Sequence, residues 1–82
     1  MPELQDRDRA LSVLESARKK EPNNHMILNL LAELYIVRFD DLEQADRIVQ
    51  QVLERDPEDA GALINRSRIL LLRASMLKLL NR

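Results

Sequence analysis

The feature that most restricts the fold of this chain is an internal repeat with an offset of 35 residues. Small or apolar residues at helical spacing recur at this offset, followed each time by a proline. The matched pairs are Ala10 with Ala45, Val13 with Ile48, Leu14 with Val49, Ala17 with Val52 and Pro22 with Pro57. Because a repeated amphipathic unit buries its apolar face only against its neighbours, this repeat predicts an array of packed helices.

Helix breakers divide the chain into four segments with helical apolar spacing. We predict helices over residues 3–20, 24–38, 42–55 and 57–80, in a single domain over residues 1–82. Asn23 or Asn24 is expected to cap the second helix, and Asp41 with Gln44 to form a capping box for the third. Pro57 suits the first position of the fourth helix because its φ is fixed and it lacks an N–H.

The apolar faces of the first three helices predict one continuous core. The spacing places Ala10, Val13, Leu14 and Ala17 on one face of the first helix. The expected members of the core are Ala10, Leu14, Ala17, Leu28, Leu31, Ala32, Tyr35, Ala45, Ile48, Val49 and Val52. A single glycine and 2% aromatic residues favour an all-α class over a turn-rich β architecture. The sequence has no cysteine, which excludes disulfides and thiolate metal sites and makes the cytoplasm the expected location. Its longest aliphatic run, residues 69–72, is far shorter than the roughly 20 apolar residues of a membrane span.

Seven positions of the middle segments follow a known repeat pattern, Trp-x2-Leu-Gly-x2-Tyr, then Ala-x3-Phe, then Pro. Here they are Leu28, Leu31, Ala32, Tyr35, Ala45, Val49 and Pro57. The chain therefore resembles the tetratricopeptide repeat family, with Leu in place of Trp, Ala in place of Gly and Val in place of Phe. The family period is about 34 residues, and the loop at Phe39, Asp40 and Asp41 accommodates the additional residue.

The resemblance implies one full repeat flanked by two half repeats, arranged as a helical-hairpin solenoid of four antiparallel helices. It also implies a non-catalytic scaffold that binds a protein or peptide in a groove lined by the first helix of each repeat. The positions that it assigns to this partner groove are Met26, Asn29, Glu33, Ile36, Gly61, Ile64, Asn65, Arg68 and Leu71. A plain four-helix bundle is the alternative architecture.

The fourth predicted helix is apolar on two opposite sides at about 100° per residue. One side carries Leu63, Leu70, Ala74 and Leu77, while the other forms the predicted self-association surface of Ile69, Leu72, Met76, Leu79 and Leu80. No further helix is predicted to cover the second side, so we expect a two-fold homodimer through these residues. The alternative is head-to-tail stacking of the fourth helix on the first helix of another chain.

Other functions have less support in the sequence. The only histidine is His25, which lies beside a predicted helix cap. The carboxylates at residues 40–46 and 54–59 fit helix starts better than metal ligands. We therefore predict no catalytic, metal or cofactor site. The alternative function is binding of nucleic acid or an acidic surface through the basic fourth helix (Arg66, Arg68, Arg73, Lys78 and Arg82). Tyr35 and Phe39 are the only aromatic residues, which argues against a nucleic-acid surface.

Overall fold

Four helices account for nearly all of the computed structural model, which describes the backbone of residues 2–81 and the side chains of residues 5–81. The helices are α1 (Pro2–Lys20), α2 (His25–Val37), α3 (Leu42–Arg55) and α4 (Ala60–Leu80), and the described residues contain no strand. The all-α prediction is therefore confirmed. Arg82, which was counted among the basic residues of the fourth helix, lies outside the described residues.

Side-chain caps define the starts of three helices. Asn24 caps α2 by accepting a hydrogen bond from the Ile27 amide, and Asp41 caps α3 by accepting one from the Gln44 amide, as the sequence predicts. The start of α4 differs from the prediction, because Asp59 is its cap and α4 begins at Ala60 rather than near Pro57. Pro57 instead lies in a turn closed by a hydrogen bond from the Asp59 amide to the Asp56 carbonyl.

The core lies mainly between α2 and α3. The four predicted residues of each helix are buried: Leu28, Leu31, Ala32 and Tyr35 on α2, and Ala45, Ile48, Val49 and Val52 on α3. Helix α1 contributes less, since Leu14 and Ala17 are only partly buried against this core. Val13, on the same face of this helix, is 67% exposed, whereas Leu11 packs on the core.

The stacking order of the helices distinguishes a solenoid from a plain bundle. Helix α1 contacts α2 but neither α3 nor α4 within the described residues, whereas α4 packs against both α2 and α3. The Cα atoms accordingly form a flat array of 45 × 38 × 16 Å. This arrangement excludes a bundle in which four helices surround one central core.

The loop between α2 and α3, where the sequence predicts the additional residue of the repeat, contains an unusual backbone conformation. Asp40 adopts a left-handed conformation with a φ of 51°, which aspartate tolerates better than most residues. The Asp41 amide then donates a hydrogen bond of 3.0 Å to the Tyr35 carbonyl, closing the loop around Asp40.

The side of α4 that packs within the chain is the opposite of the one expected. Ala62, Asn65 and Ile69 are buried against α2 and α3, and Leu63 and Leu70 are exposed. Ile69 is 1% exposed, so its assignment to a self-association surface was wrong. Leu72, Met76, Leu79 and Leu80, the other residues of that predicted surface, remain exposed.

Candidate functional site

A groove with a volume of about 600 Å³ lies between α2 and α4. Both helices run in the same direction here, because the start of α2 lies beside the start of α4 and Glu33 lies beside Arg68. The residues that line the groove are His25, Met26, Asn29, Leu30, Glu33, Asp59, Ala60, Gly61, Ile64, Asn65 and Arg68.

Apolar side chains in the groove are available to a ligand. Met26 and Leu30 project from α2, Ile64 projects from α4, and all three are exposed. Exposed apolar side chains gathered in a concave surface are typical of binding sites, because a partner removes their area from water.

An ion pair crosses the groove at the end farther from the helix starts. The Arg68 guanidinium lies 3.4 Å from the Glu33 carboxylate, and both side chains are about half exposed. At this exposure such a pair contributes only about 0–1 kcal/mol to stability. Both groups are therefore free to exchange partners with a charged ligand at little cost to the fold.

Asp59 organises the other end of the groove. One carboxylate oxygen accepts hydrogen bonds from the Ala62 amide at 3.0 Å and the Asn29 side-chain amide at 2.8 Å. The second oxygen lies 3.4 Å from Nδ1 of His25. The backbone hydrogen bond from Ala62, followed by the one from Asn29, lowers the pKa of Asp59. An ionised Asp59 therefore joins the start of α4 to α2.

Close helix approach explains the glycine in the groove wall. A Cβ atom at Gly61 would lie 2.5 Å from the side-chain nitrogen of Asn29 and 3.0 Å from its Cγ. Asn65 is buried at the same contact and donates a hydrogen bond of 3.0 Å to the Asn29 carbonyl. Asn29 Oδ1 is buried and has no hydrogen-bond partner among the described residues. The α2–α4 contact is thus held by polar groups next to the groove.

Most residues predicted for the partner groove do line it. Met26, Asn29, Glu33, Gly61, Ile64, Asn65 and Arg68 belong to its lining. Ile36 does not, because it is buried in the core, and Leu71 is exposed but lies outside the lining. Asn65 is itself buried, so its amide holds the two helices together rather than facing a ligand.

The sequence prediction missed His25, Leu30, Asp59 and Ala60. A usable signal existed for three of them, because each lies one helical turn from a predicted groove residue: His25 before Asn29, Leu30 after Met26 and Ala60 before Ile64. Asp59 gave no such signal, because the predicted start near Pro57 places it inside the fourth helix rather than at the helix cap.

His25, Asp56 and Asp59 also bring three ligand-type atoms within 4.8 Å of one another. Their existing contacts account for this proximity. Asp56 accepts a hydrogen bond from the Glu58 amide, and both oxygens of Asp59 are engaged as described above. The cluster is explained by the turn and the helix cap.

Comparison with protein families identifies the repeat. A tetratricopeptide repeat family model matches residues 3–66, which cover most of the chain. The chain belongs to the tetratricopeptide repeat family. Neither the curated proteins nor the solved structures compared with it gave a match.

Membership of the tetratricopeptide repeat family agrees with the order of the helices. The match runs from α1 into α4 and includes all of α2 and α3, the hairpin that forms the full repeat. Tetratricopeptide repeats generally mediate protein–protein interactions and are typically non-catalytic scaffolds. None of the described helices is both long enough and apolar enough to span a lipid bilayer.

Proposed function

We propose that this chain is a non-catalytic scaffold whose groove between α2 and α4 binds a segment of another protein. The observation that carries this proposal is the exposure of Met26, Leu30 and Ile64 inside a groove formed by the first helices of successive repeats. Burying such side chains would stabilise a complex by about 25 cal/mol per Å² of apolar area, before the cost of association is subtracted.

The charges at the two ends of the groove define the chemistry of a suitable partner. The His25–Asp59 and Glu33–Arg68 pairs are separated by eight residues of α2, or about 12 Å along a helix. A partner segment would place aliphatic side chains between these pairs and present an acid to Arg68 or a base to Glu33. Because the exposed Glu33–Arg68 pair is weak, this exchange supports selectivity more than affinity.

Binding of nucleic acid through the basic fourth helix has less support. Arg68 lies 3.4 Å from Glu33, and Arg73 lies 3.3 Å from Asp46. These acidic neighbours reduce the positive potential that a phosphate backbone would meet, and the potential of a basic surface dominates such binding. A protein partner is therefore the preferred proposal.

Self-association is a second part of the proposal, because α4 leaves Leu63, Leu70 and Leu77 exposed on a side that does not line the groove. We also propose a cytoplasmic location, since a chain without cysteine does not depend on an oxidising compartment for its stability.

A displayed library of random peptides tests the groove directly. Peptides selected on the wild-type chain are expected to share an aliphatic pattern and to bind at least about tenfold more weakly to Met26→Glu, which places a charge among the groove's apolar side chains. Met26 is 69% exposed, so this change is not expected to disturb the fold.

Val13→Glu is the matched control, because Val13 is similarly exposed on α1, away from the groove. It should leave peptide affinity unchanged. If no peptide is enriched, or if both variants weaken binding equally, the groove is not the binding site and the proposal fails.

A further inference from the structure

The exposed side of α4 corresponds to the side of α2 that α3 covers. We define the α4 outer face as Leu63, Ser67, Leu70, Ala74 and Leu77. At the offset of 35 residues, Leu63 matches Leu28, Ser67 matches Ala32 and Leu70 matches Tyr35. The three residues of α2 are buried in the core that α2 forms with α3, whereas Leu63 is 46% and Leu70 is 56% exposed. The α4 outer face thus has the form of a surface that receives a helix like α3.

The same chain carries a helix of the required kind. We define the α1 face as Ala10, Val13, Leu14 and Ala17, which match Ala45, Ile48, Val49 and Val52 of α3 at the same offset. All four α3 residues are buried. On α1, Val13 is exposed, and the other three remain partly accessible. The α1 face is therefore the partly uncovered counterpart of the α3 surface that packs on α2.

We propose that the α4 outer face binds the α1 face of a second copy of this chain, so that the two helices form a composite repeat across the contact. Small residues support this pairing: Ala32 and Ala45, which are fully buried in the α2–α3 hairpin, correspond to Ser67 and Ala10. Small side chains at both positions allow the two backbones to approach closely. Because the contact joins two different surfaces, each copy retains a free face of each kind and the assembly grows head to tail.

The alternative two-fold dimer through α4 fits the structure less well. Ile69, one of the five residues expected at its interface, is buried within its own chain. A two-fold pairing of the outer faces would also bring Arg66 near its symmetry mate. In the head-to-tail arrangement, Arg66 instead occupies the position that Leu31 holds in the α2–α3 hairpin. A charged residue at a position that is apolar in the intact hairpin weakens the contact, so the assembly is expected to form only at high protein concentration.

Two face variants and their mixture test this arrangement by sedimentation velocity. Val13→Asp alters only the α1 face and Leu70→Asp only the α4 outer face, and both residues are exposed, so circular dichroism should show an unchanged fold. The wild-type mass should rise beyond a dimer with concentration, while each variant alone stays monomeric. An equimolar mixture should form a dimer and nothing larger, because one intact contact remains.

Arg66→Leu provides a test in the opposite direction. It restores the residue type of Leu31 at the equivalent position and should tighten self-association by about tenfold or more. Met26→Glu, which changes the groove, should leave self-association unchanged, so failure of groove binding and failure of stacking can be told apart.

Three results would overturn the proposal. The first is a mixture of Val13→Asp and Leu70→Asp that stays monomeric, although the wild-type chain assembles and each variant alone does not. The second is dissociation by Leu70→Asp without any effect of Val13→Asp, which would indicate a two-fold α4 dimer. The third is a wild-type chain and an Arg66→Leu variant that both remain monomeric up to millimolar concentration.

Discussion

Asp59→Ala should destabilise the fold more than removal of an ordinary helix cap. Loss of the cap to the Ala62 amide costs about 1 kcal/mol. Loss of the charged acceptor for Asn29 adds up to about 1.5–3 kcal/mol, although water can replace part of this bond. Because both bonds use one carboxylate and partly overlap, we expect a total of about 2 kcal/mol, which lowers Tm by about 8–16 °C in a domain of this size.

Asp41→Ala is the matched control for this experiment. Asp41 caps α3 in the same manner through the Gln44 amide, but no further side-chain hydrogen bond involves it among the described residues. Its loss should therefore cost only about 1 kcal/mol. Urea denaturation of the two variants compares them directly. If Asp59→Ala loses no more free energy of unfolding than Asp41→Ala, the bond between Asp59 and Asn29 contributes nothing and our account of the groove end is wrong.

The loss of stability in Asp59→Ala should also depend on pH. The pKa of Asp59 is lowered in the folded chain, so its contribution to stability is present above the unfolded-state pKa and is lost as pH falls through the folded-state pKa. The difference in unfolding free energy between the wild-type chain and Asp59→Ala should therefore shrink in acid. A difference that stays constant across the acid range would contradict an ionised Asp59.

Three further predictions concern the core. Leu31→Ala should cost about 2–5 kcal/mol in urea denaturation, because the side chain is fully buried; an unchanged midpoint would contradict the packing. Ala45→Leu should cost about 1–3 kcal/mol by overfilling the α2–α3 contact, and unchanged stability would indicate loose packing. Burial raises the pKa of Tyr35, the only tyrosine, so its absorbance should titrate at higher pH in the folded chain than in urea. The free energy of unfolding should fall as pH rises through the folded-state pKa. Coincident titration curves would show a solvated phenol.

The middle hairpin could be predicted from the sequence because local and repeated signals agree there. The apolar spacing of α2 and α3, the Asn24 and Asp41 caps and the small residues Ala32 and Ala45 all indicate the same pair of packed helices. The family resemblance that this hairpin carries also points to seven residues that line the groove, since a repeat places equivalent residues of α2 and α4 on equivalent faces.

The ends of the array could not be predicted in the same way. Both Pro57 and Asp59 satisfy local rules for a helix start, and the start at Ala60 brings Asp59 to its tertiary partners Asn29 and His25. Val13 matches Ile48 in sequence, but Val13 is exposed whereas Ile48 is buried.

The packed side of α4 was also hidden from sequence reasoning. Both sides of this helix are apolar, and periodicity alone cannot choose between them. Two polar contacts accompany the observed choice: the Asn65 amide meets the Asn29 carbonyl, and Arg73 meets Asp46. The family resemblance assigns Asn65 to the groove by position, and the sequence gives no sign of its hydrogen-bond partner, which lies 36 positions away.

The contact of α1 with α2 alone has a consequence for the order of unfolding. Because α1 touches neither α3 nor α4 within the described part of the chain, it can detach without opening the α2–α3 hairpin. Native-state hydrogen exchange should therefore give a lower free energy of opening for the amides of α1, and the slowest-exchanging amides should lie in α2 and α3. Folding would begin at that hairpin and spread outward to both ends, and such nearest-neighbour contacts are associated with folding times of microseconds to milliseconds.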